Sequence, residues 1–227
     1  MKAIVLAAGR GERLRPLTDT TPKPLLRAGG KRLIEWQVEA LVAGGITELV
    51  VNHAHLGSQI VEALGDGARY GASIRYSAEA PALETAGGIA RALAMLGDDP
   101  FVAVSADIYT RFDYANLRPV ADDIARRPHE RAAHFVLVEN PDWHPGGDMG
   151  LANGLVTRAK PWHTYGNIAV FHPRCFAALD PEAPLRLFPW MYEAVEAGQV
   201  TGEVYRGAWD NVGTADQLAS LDRRLSE

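Results

Sequence analysis

Apolar and polar residues alternate in blocks through the first half of the chain. Residues 2–8 are mostly apolar, the pattern of a strand covered on both faces. Residues 31–43 place Ile34, Val38, Leu41 and Val42 on one helical stripe that ends at Gly44-Gly45. Glu48–Asn52 predicts a second buried strand, His55–Leu64 a helix and Ser73–Ser77 a third strand. Ala86–Leu96 predicts another helix, and Phe101–Val104 a fourth strand. Strand and helix take turns, so a parallel sheet with helices on both sides is expected. Ligands on such sheets lie beyond the carboxyl ends of the strands. Gly9 and Asp107 both follow strand ends, and the arrangement predicts that they meet.

The second half is less regular. Tyr114–Arg126 reads as a helix and Ala132–Glu139 as a strand. A turn-rich loop over residues 140–150 follows, of a length that is often functional. Strands are expected near Leu155 and Ile168, helices near Cys175 and Met191, and short strands at Val200–Tyr205 and Trp209–Val212. Thr214 and Gln217 form the sequence pattern of a capping box for a last helix reaching Leu225. No linker, repeat or low-complexity tract interrupts the 227 residues. We therefore expect one domain over 1–227, with a first half to about residue 110 and a mixed, partly antiparallel second half over 111–227.

Composition narrows the function classes. No apolar run approaches a membrane span, and the N-terminal strand ends in Gly-Arg-Gly rather than a cleavage site. The single Cys175 excludes an internal disulfide and suits a reducing, cytoplasmic setting; it reads as a packing residue. A net charge of −5 argues against nucleic acid as a partner. Residues 1–32 nonetheless carry eight cations (Lys2, Arg10, Arg13, Arg15, Lys23, Arg27, Lys31, Arg32) against Glu12 and Asp19. A basic mouth on an acidic protein suits a small polyanion.

Chemistry concentrates in residues 6–26. Gly9 and Gly11 bracket Arg10, Arg13 follows, and Lys23 stands between Pro22 and Pro24. Glycines allow successive backbone N–H groups to form an anion-binding concavity. Arg13 offers a planar fork to phosphate oxygens and Lys23 a compact charge on a stiffened segment. Leu14 stands where a dinucleotide fingerprint needs its third glycine, and no Gly-Lys-Ser/Thr closes a P-loop. Further on, Asp107 ends the run Val-Ala-Val-Ser-Ala-Asp, a good place for a Mg²⁺ ligand, although it could instead cap a turn.

Leu-x-x-Gly-x-Gly-x-Arg-Leu-x-Pro-Leu-Thr followed by Pro-Lys-Pro-Leu resembles the signature of the sugar-1-phosphate nucleotidyltransferases, with every position filled. The resemblance implies an α/β, Rossmann-like three-layer sandwich with a mixed, mainly parallel central sheet. It also implies a nucleoside triphosphate, a sugar 1-phosphate and Mg²⁺. Carried onto this chain, it assigns Ala7, Ala8, Gly9, Gly11, Glu12, Arg13, Lys23 and Thr85 to the nucleotide, with Arg13 and Lys23 catalytic. Thr85, in Leu83-Glu84-Thr85-Ala86-Gly87-Gly88, equally suits a helix N-cap. Glu84 replaces the commoner Gly. Ser105, Asp148 and Lys160 fall at sugar-phosphate positions, although Lys160 also reads as a solvated lysine. Asp107 and a second position near the C-terminus would hold the metal. In Trp209-Asp210-Asn211-Val212-Gly213-Thr214 that second position is Asn211, with Asp210 one residue earlier. Strand alternation lets only one of the two face the metal without a bulge.

Several longer runs, among them Val-Asn-His-Ala-His-Leu-Gly and Leu-Glu-Thr-Ala-Gly-Gly-Ile, are similar to the branch of the family that joins N-acetylmuramic acid 1-phosphate to UTP in peptidoglycan recycling. Mannose or glucose 1-phosphate with GTP or dTTP, a non-sugar transferase and a non-enzymatic nucleotide sensor are the alternatives. The seven histidines do not gather at zinc spacing, so His53 and His55 are expected to be structural or substrate-shaping. Trp143, Trp162 and Trp209 read first as core, with a sugar-pocket wall as the other possibility. A monomer or small homo-oligomer is expected.

Overall fold

A computed structural model describes residues 1–226. The chain opens with β1 (Ala3–Leu6), α1 (Leu17–Thr20), the hairpin β2 (Arg27–Ala28) and β3 (Lys31–Arg32), and α2 (Leu33–Ala43). Next come β4 (Glu48–His53), α3 (Gly57–Leu64), β5 (Ser73–Ala78), α4 (Glu84–Leu96), β6 (Phe101–Ser105), β7 (Ile108–Thr110) and α5 (Leu117–Arg126). The second half adds β8 (Ala133–Val138), β9 (Met149–Ala152), β10 (Leu155–Thr157), β11 (Trp162–Phe171), α6 (Tyr192–Glu196), β12 (Val200–Tyr205), β13 (Trp209–Asn211) and α7 (Ala215–Ser226).

One nine-stranded sheet carries both halves, in the order β5-β4-β1-β6-β11-β8-β12-β10-β9. β5, β4, β1 and β6 are mutually parallel, whereas β11 runs antiparallel to both β6 and β8. The strand order reverses between β1 and β6, which makes their carboxyl ends a topological switch point. The register sets Leu6 beside Ser105, and Ala106 N–H donates to the Leu6 carbonyl at 3.0 Å. The loops that carry Gly9 and Asp107 therefore start side by side.

Strand alternation divides the core into two layers. Val5, Val102, Val104, Val136, Ile168 and Val170 pack under Ile34 and Val38 of α2, Ile60 of α3 and Leu117 of α5. Ile4, Phe101, Ala103, Phe135, Ala169 and Phe171 pack under Ala86 and Ile89 of α4 and Val195 of α6. Burial of apolar side chains on both faces supplies the main drive for this three-layer sandwich. A third cluster joins Leu221 of α7 to Ala28, Leu33, Tyr109 and Val212. It ties the C-terminal helix to the first hairpin and brings residues 209–214 back to the site. Among the described residues no helix is long and apolar enough to cross a membrane.

The chain departs from the expected elements where local signals are short. The expected helix near Cys175 is a single tight turn, Pro173–Cys175, and α6 has only five residues. The expected start of α3 at His55 moves to Gly57, after Leu56 adopts a left-handed conformation at φ 53°. The capping box of α7 forms as expected: Thr214 Oγ1 accepts from Gln217 N–H, and Gln217 Oε1 accepts from Thr214 N–H at 2.9 Å.

Candidate active site

A cavity of about 410 Å³ opens at the switch point. Ala7, Ala8, Gly9 and Arg10 form one wall, Lys23 and Pro24 a second, and Ser105, Ala106 and Asp107 a third. Asn52, Ala82, Glu84 and Thr85 complete it. Of the residues assigned from sequence, Ala7, Ala8, Gly9, Lys23, Thr85, Ser105 and Asp107 thus meet in one place.

The loop after β1 presents its backbone to this space. No described residue accepts a hydrogen bond from the N–H groups of Ala8, Gly9, Arg10 or Gly11. Gly11 is left-handed at φ 69°, and a Cβ there would lie 3.0 Å from Lys23 Cβ and Thr18 Cγ2. Only glycine meets both demands. The Ala7 N–H is already committed, donating to Asn52 Oδ1 at 2.7 Å, so Ala7 can offer an anion its carbon surface alone.

Two cations flank the row of amides. Lys23 is 9% exposed, and its ammonium is bonded to the Asp107 carboxylate across the cavity. The buried turn Lys23–Leu25 fixes its base. Arg10, which sequence reasoning did not single out, is held by the Thr18 carbonyl at 2.7 Å and by Asp19 at 3.0 Å. Arg13 is exposed and makes no ion pair among the described residues. Its guanidinium lies across Gly213, where a Cβ would stand 2.9 Å from Arg13 Nη2. The glycine of the C-terminal motif therefore makes room for an arginine of the N-terminal loop. Glu12 is exposed on the same short turn and points no functional group into the cavity lining.

Asp210 and Asn211 differ in their side-chain partners, although Asp210 Oδ2 and Asn211 Oδ1 are both buried without a protein partner. Asp210 Oδ1 accepts from Arg224 of α7 at 2.6 Å. Asn211 pairs with Ile108 in the β13–β7 ladder, and the Val212 N–H donates to the Asp107 carbonyl at 2.9 Å. Asn211 Oδ1 is buried and has no protein partner. Buried polar atoms are normally satisfied, so an oxygen left free one residue from the strand partner of Asp107 suits a cation. A carboxylate and a carboxamide oxygen are donors of the kind that Mg²⁺ takes, with waters and substrate phosphates filling the rest.

A polar chain behind the cavity was missed from sequence. Asn52 and Glu79 are 2% and 5% exposed. Asn52 Nδ2 donates to Glu79 Oε1 at 2.7 Å, and Leu83 N–H donates to Glu79 Oε2 at 2.7 Å. Burial pushes the Glu79 carboxyl up, against the opposing pull of these two donors. The chain links the Ala7 amide to the start of α4. A Cβ at Gly88 would fall 2.6 Å from Glu79 Oε1. The only sequence signal for it is polar residues at the carboxyl ends of two apolar strands.

Thr85 corrects one expectation. It does not cap α4, which starts one residue earlier; Leu83 holds the cap position and provides no side-chain bond. The Leu185 carbonyl accepts from Ala86 and Gly87 instead, at 2.9 and 3.1 Å. Thr85 consequently lines the cavity from the first helical turn. Glu84 is left-handed at φ 61° and is ion-paired to Arg186 at 3.5 Å.

Asp148 and Lys160 lie outside the cavity lining. Both Asp148 oxygens are engaged: Oδ1 with His144 Nε2 at 3.0 Å and Oδ2 with the Tyr165 N–H at 2.8 Å. Lys160 is exposed, with its ammonium over the Trp162 ring. Trp143 is not core; it is 49% exposed and stacks on Trp209 at 6.4 Å. His53 packs edge-on against Tyr76, and His55 bonds the Thr18 carbonyl. A second cavity of about 530 Å³, lined by Arg174, Cys175, Trp190 and Gln199, contains none of the predicted site residues. Burial pushes the Cys175 thiol up to about 11, which keeps it an inert, packed thiol.

The cleft at the switch point, lined by backbone amides without protein partners, a lysine and an acid, has a lining that suits a phosphate-bearing ligand. The chain belongs to the nucleotidyl transferase family, whose model matches residues 2–142. It is 44% identical over 223 residues to the N-acetylmuramate alpha-1-phosphate uridylyltransferase of Neisseria meningitidis serogroup B, covering 96% of this chain and 95% of that one. It is 34% identical to the enzyme of the same name from Caulobacter vibrioides, over 99% of this chain and 97% of that one. The fold superposes with a TM-score of 0.84 on a Bacillus anthracis protein described as a glucose-1-phosphate thymidylyltransferase in complex with sucrose. That match is 24% identical and covers 100% of this chain and 96% of the other.

Proposed function

We propose that this chain joins N-acetylmuramic acid 1-phosphate to UTP, releasing pyrophosphate and a UDP-sugar. The observation that carries the choice of substrates is the 44% identity, end to end, with a relative of that name. A phosphate oxygen of the sugar 1-phosphate attacks the α-phosphorus of UTP, the bond between the α-phosphorus and the bridging oxygen breaks, and pyrophosphate leaves. The nucleophile is already anionic near neutral pH, so no general base is required. The barrier is the approach of two polyanions, and the residues act by positioning and neutralising them.

In this reading the amides of Ala8 to Gly11 and the guanidinium of Arg13 hold the triphosphate, with Gly9 and Gly11 keeping the approach open. Lys23 carries its charge to the α-phosphate, exchanging Asp107 for phosphate oxygens. Thr85 contacts the nucleoside from α4, and the Asn52–Glu79 chain holds the loop and the helix at a fixed separation. Ser105 faces the sugar phosphate, Asp148 the sugar, and Lys160 reaches the sugar phosphate only by leaving Trp162. Asp107 and Asn211 would hold Mg²⁺, which when bound neutralises and aligns the phosphate oxygens of both substrates. The first half of the chain then serves the nucleotide and the second half the sugar. We place the reaction in the cytoplasm, where nucleoside triphosphates are available.

Pyrophosphate release tests this reading across a panel of sugar 1-phosphates and the four common triphosphates. The fastest turnover is expected with N-acetylmuramic acid 1-phosphate and UTP. A clear preference for a plain hexose 1-phosphate or for another base would overturn the substrate assignment. Triphosphate binding with no turnover on any 1-phosphate would make the chain a sensor rather than an enzyme.

A further inference from the structure

β11 is interrupted at one place. Tyr165 pairs with Leu137, but the next pair is Ile168 with Val136, so Gly166 and Asn167 loop out of the ladder. Asn167 is left-handed at φ 58°. The irregularity is pinned from two directions. Trp209 Nε1 donates to the Gly166 carbonyl at 2.9 Å, and the Tyr165 N–H donates to Asp148 Oδ2 at 2.8 Å. On its other side β11 pairs Ile168 with Val104 of β6, so the bulge lies beside Ser105, which lines the cavity. Counting back from the Ile168–Val104 pair sets Asn167 opposite Ser105 at the rim of the cavity, where the bulge and the left-handed backbone break the strand's alternation.

Asn167 is half-buried, and its carboxamide makes no hydrogen bond with any described residue. Bulges beside active sites re-aim a side chain. Asparagine tolerates the left-handed region, but glycine occupies it at less cost. A position that needed only the backbone turn would be served best by glycine. The amide group is therefore the feature to explain. A carboxamide carries one acceptor and two donors in a plane, which complements an acylamino group with its own carbonyl and N–H.

We propose that Asn167 is a specificity-determining contact, its carboxamide bonding the acylamino substituent of the sugar 1-phosphate between Ser105 and Asp148. The inference rests on the function proposed above and deepens it.

Asn167→Gly removes the amide and keeps the left-handed backbone. The readout is the ratio of kcat/KM for N-acetylglucosamine 1-phosphate or N-acetylmuramic acid 1-phosphate to that for glucose 1-phosphate, with UTP. In the unaltered protein the acylamino sugars should win. In Asn167→Gly the ratio should narrow about tenfold or more, through a higher KM for the acylamino sugar, with the KM for UTP and the thermal midpoint unchanged. Asn167→Asp, which loses the donors, should fall between. An unchanged ratio in Asn167→Gly would overturn the inference and leave the proposed activity standing. A preference of the unaltered protein for glucose 1-phosphate would overturn both the inference and the substrate assignment above. No turnover of any 1-phosphate by the unaltered protein would remove the proposed activity and this contact together.

Discussion

Lys23 and Asp107, 84 positions apart, are bonded to each other across the mouth of the cavity. The lysine is almost wholly buried at its base, and the aspartate side chain is 27% exposed. Neither residue lies in the two main apolar clusters. The pair holds a cation and an anion at the place where a phosphate and its counter-ion would be exchanged for them. The same contact explains how a site for two polyanions stays organised without a permanent excess of positive charge at its centre.

Removing the cation should act on rate far more than on stability. Lys23→Ala is expected to lower kcat by roughly 10²-fold or more, the scale of losing one charged contact to a reacting oxygen. Asp107 keeps access to water, so the thermal midpoint should move little. Steady-state kinetics beside a melting curve checks both; a near-normal kcat would remove Lys23 from the mechanism.

Asn211 should respond to charge. Its buried, partnerless Oδ1 is the feature that favours a cation here. Asn211→Asp is expected to keep or raise activity and to lower the Mg²⁺ concentration for half-maximal rate. Asn211→Leu should raise that concentration about tenfold or more. Mg²⁺ titrations that coincide for all three proteins would contradict the assignment.

Gly213 offers a test of Arg13 that leaves Arg13 in place. A methyl group at Gly213 would stand 2.9 Å from Arg13 Nη2 and 3.2 Å from Gln217 Oε1. The flexible guanidinium can give way, so Gly213→Ala should fold. Its KM for UTP should rise about tenfold, equivalent to about 1.4 kcal/mol of lost binding. Kinetics indistinguishable from the unaltered protein would show that the packing of Arg13 on Gly213 is unimportant for triphosphate binding.

Glu79 gives stability a pH dependence of known sign. Burial raises its carboxyl above the usual glutamate range, so the folded protein holds this proton more tightly than the unfolded chain does. The contribution is full below the ordinary value, about pH 4.3, and is lost as pH rises through the higher folded value. Glu79→Gln should flatten the unfolding free energy over the window just above pH 4.3, relative to the unaltered protein. Parallel profiles for the two proteins would contradict a raised carboxyl. His53, whose pKa burial lowers, works in the opposite sense: its contribution is lost as pH falls below about 6.5.

The layers, the parallel first half and the meeting of the β1 and β6 loops follow from patterns that span four or more residues each. Long blocks of apolar residues average over local ambiguity, so those elements were legible in the sequence. The Gly9–Lys23 segment was legible for a different reason, since its residue types suit only a narrow range of backbone and charge tasks. Illegible features depend on one residue meeting another from far along the chain. Asn52 and Glu79 look like ordinary polar ends of strands until the fold stacks them between the loop and α4. The capping of α4 by the Leu185 carbonyl is invisible because a backbone group has no sequence signature. β7 has three residues, too few for a period to register. Trp143 was expected in the core on residue type alone, yet it is half-exposed and stacks on Trp209.

A crystal structure with UTP and Mg²⁺ soaked into the protein tests the central assignment most directly. The triphosphate should lie along the Ala8–Gly11 amides within hydrogen-bond reach of Arg13 and Lys23, with the metal between Asp107 and Asn211. Density for the nucleotide away from both Arg13 and Asp107 would contradict the account.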